Sequence, residues 1–317
     1  MSYHWRMQID AVLFAAGRGE RLRPLTDRVP KPAVPIMDVP LGAWGLSALL
    51  RASGRALVNV SHLATEAAGA LAPYAPEGAL EILVEPDEPF GTAGTLRAVA
   101  RRLSDEVAVW NGDLLAGIDV GALREFHRAS GRPATVAVRK VERGADLVVE
   151  GGRAVAFVDR RVDPEASGVQ FLGVAILSPE ARSLIPPEDT QGLGGAVIAP
   201  LAEAGELSVM MHDGYAIDVG TPARYLQASL EVLEGRAPLT PAGPPGEVVE
   251  VDGGRAYIGL GVAASSSSIG PGAILLSGTR VAEGCRVERS VVWSGATVTT
   301  DLRDSVWCGR AIDASAG

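Results

Sequence analysis

Short apolar segments alternate with segments of helical spacing over the first third of the chain, and this alternation restricts the possible folds more than any other feature. The segment Ile9–Ala15 is largely apolar, contains β-branched residues and is soon followed by glycine, as in a strand buried on both faces. Further strands are predicted at 56–60, 80–84 and 107–110, and helices at 41–52, 66–71 and 95–103. Because parallel strands require crossover connections, the pattern predicts an α/β domain with a Rossmann-like, mostly parallel sheet.

The next part of the chain has shorter strand-like runs. They fall at 135–138, 147–150, 154–158 and 169–177, and helices are predicted at 200–204 and 222–234. Gly151-Gly152 lies between two of these runs and predicts a tight hairpin turn. The first domain is therefore expected to span residues 1–234.

A different period begins after a break rich in proline and glycine. Residues 235–246 read GRAPLTPAGPPG and lack apolar periodicity, so a linker is predicted at 235–250. Beyond it, aliphatic residues recur every six positions, and the spacing resumes after one slip. These anchors are Ile269, Leu275, Val281, Val287, Val292 and Val298. Hexapeptide spacing predicts a short left-handed parallel β-helix at 251–317, with a meandering antiparallel domain as the alternative.

Composition excludes several classes of protein. The net charge is −9, so no basic field for nucleic acid is present. No run of 18 apolar residues and no secretory leader is evident, and the cysteines lack metal-site or paired spacing. We therefore expect a cytoplasmic protein that binds neither nucleic acid nor membrane. The chain could form homo-oligomers through the predicted β-helix.

The loop after the first predicted strand has the chemistry of a phosphate-binding turn. Its residues, Gly17-Arg18-Gly19-Glu20-Arg21, combine glycines with two arginines. Glycine lets backbone N–H groups approach an anion, and guanidinium groups bind phosphate in a bidentate manner. The loop lacks the Gly-Lys-Ser/Thr end of a P-loop and the third glycine of a dinucleotide fingerprint. Lys31 stands between two prolines and is a candidate second phosphate ligand.

A long motif that includes this loop resembles a known family. The segment 13–36, LFAAGRGERLRPLTDRVPKPAVPI, is similar to the signature of the sugar-1-phosphate nucleotidyltransferases. The resemblance extends to about residue 234, through Glu85-Pro86, Gly91–Gly94, Asn111–Asp113 and Ile217–Pro222. The tail resembles that of the mannose-1-phosphate guanylyltransferase-like members.

This resemblance implies transfer of a nucleoside monophosphate from an NTP to a sugar 1-phosphate, with release of pyrophosphate. It implies Arg21, Lys31 and Asp113 as catalytic residues and Asp113 and Asp218 as Mg²⁺ ligands, a donor pair that suits this hard cation. The implied nucleotide-binding residues are Ala16, Gly17, Arg18, Gly19, Glu85, Gly91, Thr92 and Gly94. The implied sugar-phosphate-binding residues are Asn111, Gly144, Asp159, Arg160 and Gly173.

One departure from the family pattern leaves alternatives open. Many relatives have Glu-Lys-Pro near the sugar phosphate, whereas this chain has Asp159-Arg160-Arg161 in that stretch. A guanylyltransferase is favoured, with a UTP- or dTTP-dependent enzyme or a catalytically silent, nucleotide-sugar-binding regulatory paralogue as alternatives. A dinucleotide-binding oxidoreductase is disfavoured by the absent third glycine.

Overall fold

A computed structural model describes residues 8–158, 163–187, 192–237, 245–309 and 311–314. The strands of the larger, N-terminal part are β1 (Ile9–Phe14), β2 (Pro35–Ile36), β3 (Val39–Pro40), β4 (Ala56–Val60), β5 (Leu80–Val84), β6 (Leu103–Asn111), β7 (Leu114–Ala116), β8 (Ala134–Val141), β9 (Leu147–Glu150), β10 (Arg153–Phe157), β11 (Gly168–Leu177), β12 (Leu207–Met211) and β13 (Ala216–Asp218). Its helices are α1 (Leu41–Ala52), α2 (Ala64–Leu71), α3 (Gly91–Ala98), α4 (Val120–Ser130), α5 (Pro179–Ser183), α6 (Ala199–Glu203) and α7 (Pro222–Leu233).

The central sheet is parallel on one side and mixed on the other. Its strand order is β5-β4-β1-β6-β11-β8-β12-β10-β9. Strands β5, β4, β1 and β6 run parallel, as predicted. Strand β11 runs antiparallel to both of its neighbours, β6 and β8. The chain leaves β1 toward β4 on one side and later returns to β6 on the other, so β1 and β6 form the switch point where ligands bind in open α/β sheets.

Strand β1 is buried on both faces, which explains its nearly continuous apolar sequence. Ala11 and Leu13 point into a core that includes α1 and α7. Val12 and Phe14 point into a second core that includes α3 and α6. The central sheet therefore has helices on both faces, and it holds the carboxyl end of β1 in a fixed position.

Helix α3 begins earlier than its sequence spacing predicts. Gly91–Gly94 form its first turn, and the predicted helical end at Leu103 is instead the first residue of β6. The Thr95 hydroxyl lies 3.0 Å from the Gly91 carbonyl oxygen, at the end of this first turn. No helix within the described residues is long and apolar enough to cross a membrane.

The C-terminal part consists of short strands that pair mainly in parallel. These strands are β14 (Glu247–Val251), β15 (Gly254–Ile258), β16 (Ile274–Leu275), β17 (Arg280–Val281), β18 (Val287–Glu288), β19 (Val291–Val292), β20 (Thr297–Val298), β21 (Leu302–Arg303), β22 (Ser305–Trp307) and β23 (Ala311–Asp313). The ladders β15-β16-β19-β22, β17-β20 and β18-β21 are parallel. Strands β14 and β23 cover the two ends of the first ladder in antiparallel pairing.

Aliphatic residues predicted as anchors stack between successive strands. Leu275 pairs with Val292, and Val281 pairs with Val298. Both pairs lie in one buried cluster. Glycines at 272, 278, 284 and 295 have φ between 72° and 79°, a left-handed conformation at the corners that favours glycine. The six-residue spacing therefore reflects regular corners between short parallel ladders.

The two parts of the chain share a core. Strand β14 starts at Glu247, inside the predicted linker at 235–250, because its residues pair with β15 across an Asp252-Gly253 turn. Tyr257 and Ile274 are fully buried in the same cluster as Tyr225 of α7. The C-terminal strands thus pack directly against the last helix of the larger part.

Candidate active site

The glycine-arginine loop leaves β1 and turns sharply at Gly19. Gly19 has φ of 65°, and a Cβ there would lie 2.9 Å from Thr26 Cγ2 and 3.1 Å from Lys31 Cβ. The Thr26 hydroxyl donates to the Gly19 carbonyl oxygen at 2.8 Å. Only glycine fits this combination of backbone angle and close neighbours. The turn therefore brings the loop directly against the segment that contains Lys31.

Lys31 contacts the predicted metal ligand Asp113. Its Nζ donates to Asp113 Oδ2 at 2.6 Å, and the side chains are 12% and 28% exposed. The distance and the partial burial define a charge-assisted hydrogen bond that is shielded from much of the solvent. Gly112, beside Asp113, donates its N–H to the Phe14 carbonyl oxygen at 2.8 Å, which ties the end of β6 to the end of β1.

A short antiparallel pair brings Asp218 to the same place. Strand β13 pairs with β7 so that Asp218 lies opposite Leu114, and the Val219 N–H donates to the Asp113 carbonyl oxygen at 2.9 Å. Burial raises the pKa of Asp218 above its ordinary value, and the neighbouring Asp113 carboxylate raises it further. Lys31 and Arg21 act in the opposite direction. The site is thus a pair of carboxylates flanked by two cations.

Two cavities meet at Asp113, one member of this carboxylate pair. The smaller is about 260 Å³ and is lined by the β1 loop, Lys31 and Thr92. The larger is about 880 Å³ and is lined by Arg21, Asp218 and residues of β8, β11 and α7. Asn111 and Asp113 line both cavities. The end of β6 therefore stands between two neighbouring binding spaces.

The predicted nucleotide-binding residues separate into two groups. Those that line the smaller cavity are Ala16, Gly17, Gly19 and Thr92. Arg18, Glu85, Gly91 and Gly94 do not line it. Arg18 instead donates to the Asp87 carbonyl oxygen at 2.8 Å.

Glu85 is the centre of a buried hydrogen-bond network. Glu85 is 4% exposed. Its carboxylate accepts hydrogen bonds from Asn59 at 3.0 Å, Thr95 at 2.6 Å and the Phe90 N–H at 3.0 Å. Asn59 also accepts from the Ala15 N–H at 2.8 Å. The carboxylate therefore supports the base of the β1 loop and the start of α3, and its oxygens are already hydrogen-bonded within the protein.

The predicted sugar-phosphate-binding residues are also divided. Asn111 and Gly173 line the larger cavity, and a Cβ at Gly173 would lie 2.4 Å from Asn111 Nδ2. Gly144 does not line it, and its N–H bonds to the Pro164 carbonyl oxygen. Asp159 and Arg160 lie outside the described residues. Arg21, predicted beside the triphosphate, lines the larger cavity.

Several polar residues of the larger cavity were missed by the sequence analysis. Arg139 donates to the Gln170 side chain at 2.6 Å and to the Ala216 carbonyl oxygen at 3.1 Å. Asp146 and Arg224 also line the cavity. The available signal was Gln170, the one strongly polar residue in the run GVQFLGVAIL of β11. Side chains alternate along a strand, so Gln170 faces the opposite side from its apolar neighbours.

The carboxylate pair offers few protein ligands for a metal. Within the described ranges, no group of three or more His, Cys, Asp or Glu side chains is arranged to hold a metal ion. Asp113 and Asp218 fit a cation that takes only one or two carboxylates and completes its shell with phosphate oxygens and water. A cation bound at this pair would relieve the repulsion between the two carboxylates.

A phosphate-suited loop at the switch point of a parallel sheet, beside cations and paired carboxylates, defines a nucleotide-binding α/β protein. Residues 10–235 match the Nucleotidyl transferase family. The chain belongs to this family.

Similar proteins extend the comparison over most of the chain. The chain is 31% identical to a mannose-1-phosphate guanylyltransferase of Mycobacterium tuberculosis, over 89% of this chain and 84% of that protein. It is 30% identical to a UTP–glucose-1-phosphate uridylyltransferase of Synechocystis, over 87% of this chain and 76% of that protein. A crystal structure of a putative glucose-1-phosphate thymidylyltransferase from Bacillus anthracis, in complex with sucrose, shares the fold with a TM-score of 0.59 and 19% identity, over 70% of this chain and 93% of that chain.

Proposed function

We propose that this protein transfers a nucleoside monophosphate from an NTP to a sugar 1-phosphate and releases pyrophosphate. The observation that best supports this reaction is the position of Asp113, which lines both cavities and bonds to Lys31. A transferase needs two substrates to meet at one reacting phosphorus, and the two cavities meet at this residue.

The smaller cavity suits the nucleotide. Its walls are the loop residues Gly17 and Gly19, whose lack of side chains gives a phosphate access to the backbone. Lys31 lies in the same wall. We assign the triphosphate to this space, with its α-phosphate toward Asp113.

The larger cavity suits the sugar phosphate. It contains three guanidinium groups, from Arg21, Arg139 and Arg224. Arg139 is already bonded to Gln170 and to the Ala216 carbonyl oxygen. Arg21 and Arg224 are therefore our candidates to replace the lysine that is missing from the Glu-Lys-Pro position, since guanidinium binds phosphate oxygens in a bidentate manner. We assign the phosphate of the acceptor to the part of the cavity next to Arg21 and Asp113.

The residues near the reacting phosphorus act by position and charge. The acceptor phosphate is already an anion at neutral pH, so no general base is required. Lys31 and Arg21 would offset the negative charge that develops as the acceptor oxygen attacks and pyrophosphate leaves. Asp113 and Asp218 would hold Mg²⁺, which when bound would supply further charge neutralisation at the phosphates.

The favoured substrates are GTP and mannose 1-phosphate, with UTP and glucose 1-phosphate second. The first pair is supported by the Mycobacterium relative and the second by the Synechocystis relative, at nearly equal identity. The wall of the smaller cavity, as far as it is described, consists mostly of backbone and small side chains. This explains why the sequence does not indicate which base is bound.

A substrate matrix tests the proposal. Purified protein and Mg²⁺ would be incubated with each of four NTPs and a panel of sugar 1-phosphates, and pyrophosphate release would be measured. We expect product with at least one pair and a loss of at least a hundredfold in Asp113→Asn. An absence of product with every pair, while nucleotide sugar still binds, would favour the silent regulatory paralogue.

For the C-terminal part we propose the left-handed parallel β-helix that the hexapeptide spacing predicts, and a catalytic domain that ends near residue 234. The three parallel ladders and the left-handed glycine corners support this assignment. A size measurement of the full chain in solution would test whether the protein forms oligomers.

A further inference from the structure

The hairpin β2–β3 reaches across to the C-terminal strands through Asp38 at its tip. The Asp38 carboxylate accepts hydrogen bonds from the Tyr257 hydroxyl at 2.9 Å, the Ser277 N–H at 3.0 Å and the Ser277 hydroxyl at 2.8 Å. Hydrogen bonds to a carboxylate are stronger than those between neutral groups. Asp38 therefore joins residues that are more than two hundred positions apart in the chain.

The chain is shaped for this contact on both sides. Met37 and Asp38 have φ of 50° and 63°, as required at both central residues of a tight hairpin turn. Opposite the turn, a Cβ at Gly259 would lie 2.7 Å from Asp38 Oδ2. The absence of a side chain at 259 thus leaves room for the carboxylate.

A second contact attaches the same hairpin to α7. Trp293 Nε1 donates to the Tyr225 hydroxyl at 3.0 Å, and that hydroxyl donates to the Pro35 carbonyl oxygen at 2.6 Å. The rings of Tyr225 and Trp293 pack edge to face, with centroids 6.3 Å apart. The hairpin, α7 and the C-terminal strands are therefore connected in one partly buried network.

Both segments in this network begin at the candidate active site. The hairpin follows the turn Lys31–Ala33, which is closed by a hydrogen bond from the Val34 N–H to the Lys31 carbonyl oxygen at 3.2 Å. Helix α7 starts four residues after Asp218. The C-terminal strands thus hold the chain on either side of the Asp113 carboxylate.

We propose that Asp38 is a positioning residue for nucleotidyl transfer: by anchoring the hairpin to Tyr257 and Ser277, it holds Lys31 against Asp113. The inference rests on the proposed function. It gives the C-terminal strands an indirect part in the reaction, through the hairpin that they anchor. Misplacement of a catalytic group by about 1 Å can cost up to a hundredfold in rate. A small shift of the hairpin, which begins a few residues after Lys31, would therefore be enough to lower the rate.

The variant of choice is Asp38→Asn. Asparagine tolerates the left-handed backbone as well as aspartate does, so the change removes the charge and one acceptor without adding strain. The matched control is Asp301→Asn, because Asp301 also accepts from a backbone N–H, that of Arg286 at 2.8 Å, but within the C-terminal part alone. If Asp38→Asn does not fold, the double variant Tyr257→Phe with Ser277→Ala removes both hydroxyl donors from the other side.

The first readout is kinetic. We expect kcat of Asp38→Asn to fall about tenfold to a hundredfold, and Asp301→Asn to remain within twofold of wild type. In a Lys31→Ala background, Asp38→Asn should have little further effect, because the two changes then act through the same group. A normal kcat in folded Asp38→Asn, or an equal loss in both backgrounds, would overturn the proposal.

The second readout does not depend on activity. Amide hydrogen exchange at residues 31–41 and 218–226 should be faster in Asp38→Asn than in wild type and unchanged in Asp301→Asn. If wild type makes no product, the proposed function fails and exchange alone decides whether Asp38 orders the Lys31 segment. Unchanged exchange in Asp38→Asn would overturn the inference in either case.

Discussion

Replacement of Lys31 by methionine tests the centre of the candidate site. Methionine keeps much of the length and the apolar stem of lysine but removes the ammonium group that lies 2.6 Å from Asp113 Oδ2. The Asp113 carboxylate would then lie near the Asp218 carboxylate without its cation. Three quantities should change: stability, turnover and the response to Mg²⁺.

The loss of stability can be bounded from the burial of the pair. Exposed ion pairs contribute about 0–1 kcal/mol, whereas loss of one partner of a buried pair costs about 3–5 kcal/mol. Lys31 and Asp113 are 12% and 28% exposed, so we expect the free energy of unfolding to fall by about 2 kcal/mol without Mg²⁺. For a chain of 317 residues, this corresponds to a decrease in Tm of about 3 °C in a thermal scan.

Turnover should fall much further than stability. Loss of one group that stabilises developing charge typically costs a factor of about 10²–10³ in kcat. Pyrophosphate release at saturating substrates would measure it, with Lys31→Arg as the control that retains charge. A kcat within threefold of wild type in folded Lys31→Met would refute the catalytic role of this residue.

The rise in Tm on addition of Mg²⁺ should be larger in Lys31→Met than in wild type. In wild type the ammonium group already neutralises Asp113, so a metal ion must compete with it. In Lys31→Met that competition is absent, and Mg²⁺ should raise Tm more than it does in wild type. A smaller rise in the variant would contradict our assignment of Asp113 and Asp218 as the cation ligands.

Three further changes test other parts of the structure. Arg224→Met should raise KM for the sugar phosphate about tenfold in steady-state kinetics and leave KM for the NTP within twofold, because Arg224 lines only the larger cavity. Thr95→Val should lower the free energy of unfolding in urea by about 1–3 kcal/mol, because it leaves buried Glu85 without its 2.6 Å donor. Burial lowers the pKa of His127 in the folded protein. As pH decreases, the unfolded chain therefore protonates this histidine at a higher pH than the folded chain does, and Tm should fall below about pH 6.5. In His127→Gln that decline should be weaker, and an identical pH profile would contradict this origin.

The local structure of the sheet was largely predictable. The segment at β1 was recognised because burial on both faces requires a nearly continuous apolar run, and the strands at 56–60 and 80–84 have the predicted bounds. The start of α3 was missed because Gly91 and Gly94 are poor helix formers. Tertiary contacts hold this turn, since the Thr92 hydroxyl accepts from the Leu193 N–H at 2.7 Å.

The geometry of the site was less accessible. Strands β7 and β13 have three residues each, too few to show a period of two. Their pairing nevertheless brings Asp218 beside Asp113. Only the family resemblance associated these two aspartates, and the division between the two cavities has no sequence signal at all.

Buried polar residues explain why some predicted site residues do not line a cavity. Glu85 was assigned to the nucleotide because it falls in a family motif, but in the structure its carboxylate accepts from Asn59, Thr95 and the Phe90 N–H. A motif residue can thus support the β1 loop without lining the smaller cavity. The same reasoning applies to Asp38: a single aspartate in a short hairpin has no distinctive pattern, and its partners Tyr257 and Ser277 become neighbours only when the C-terminal strands pack on α7. Residues that position a site through such long-range contacts are therefore the ones that sequence patterns are least able to reveal.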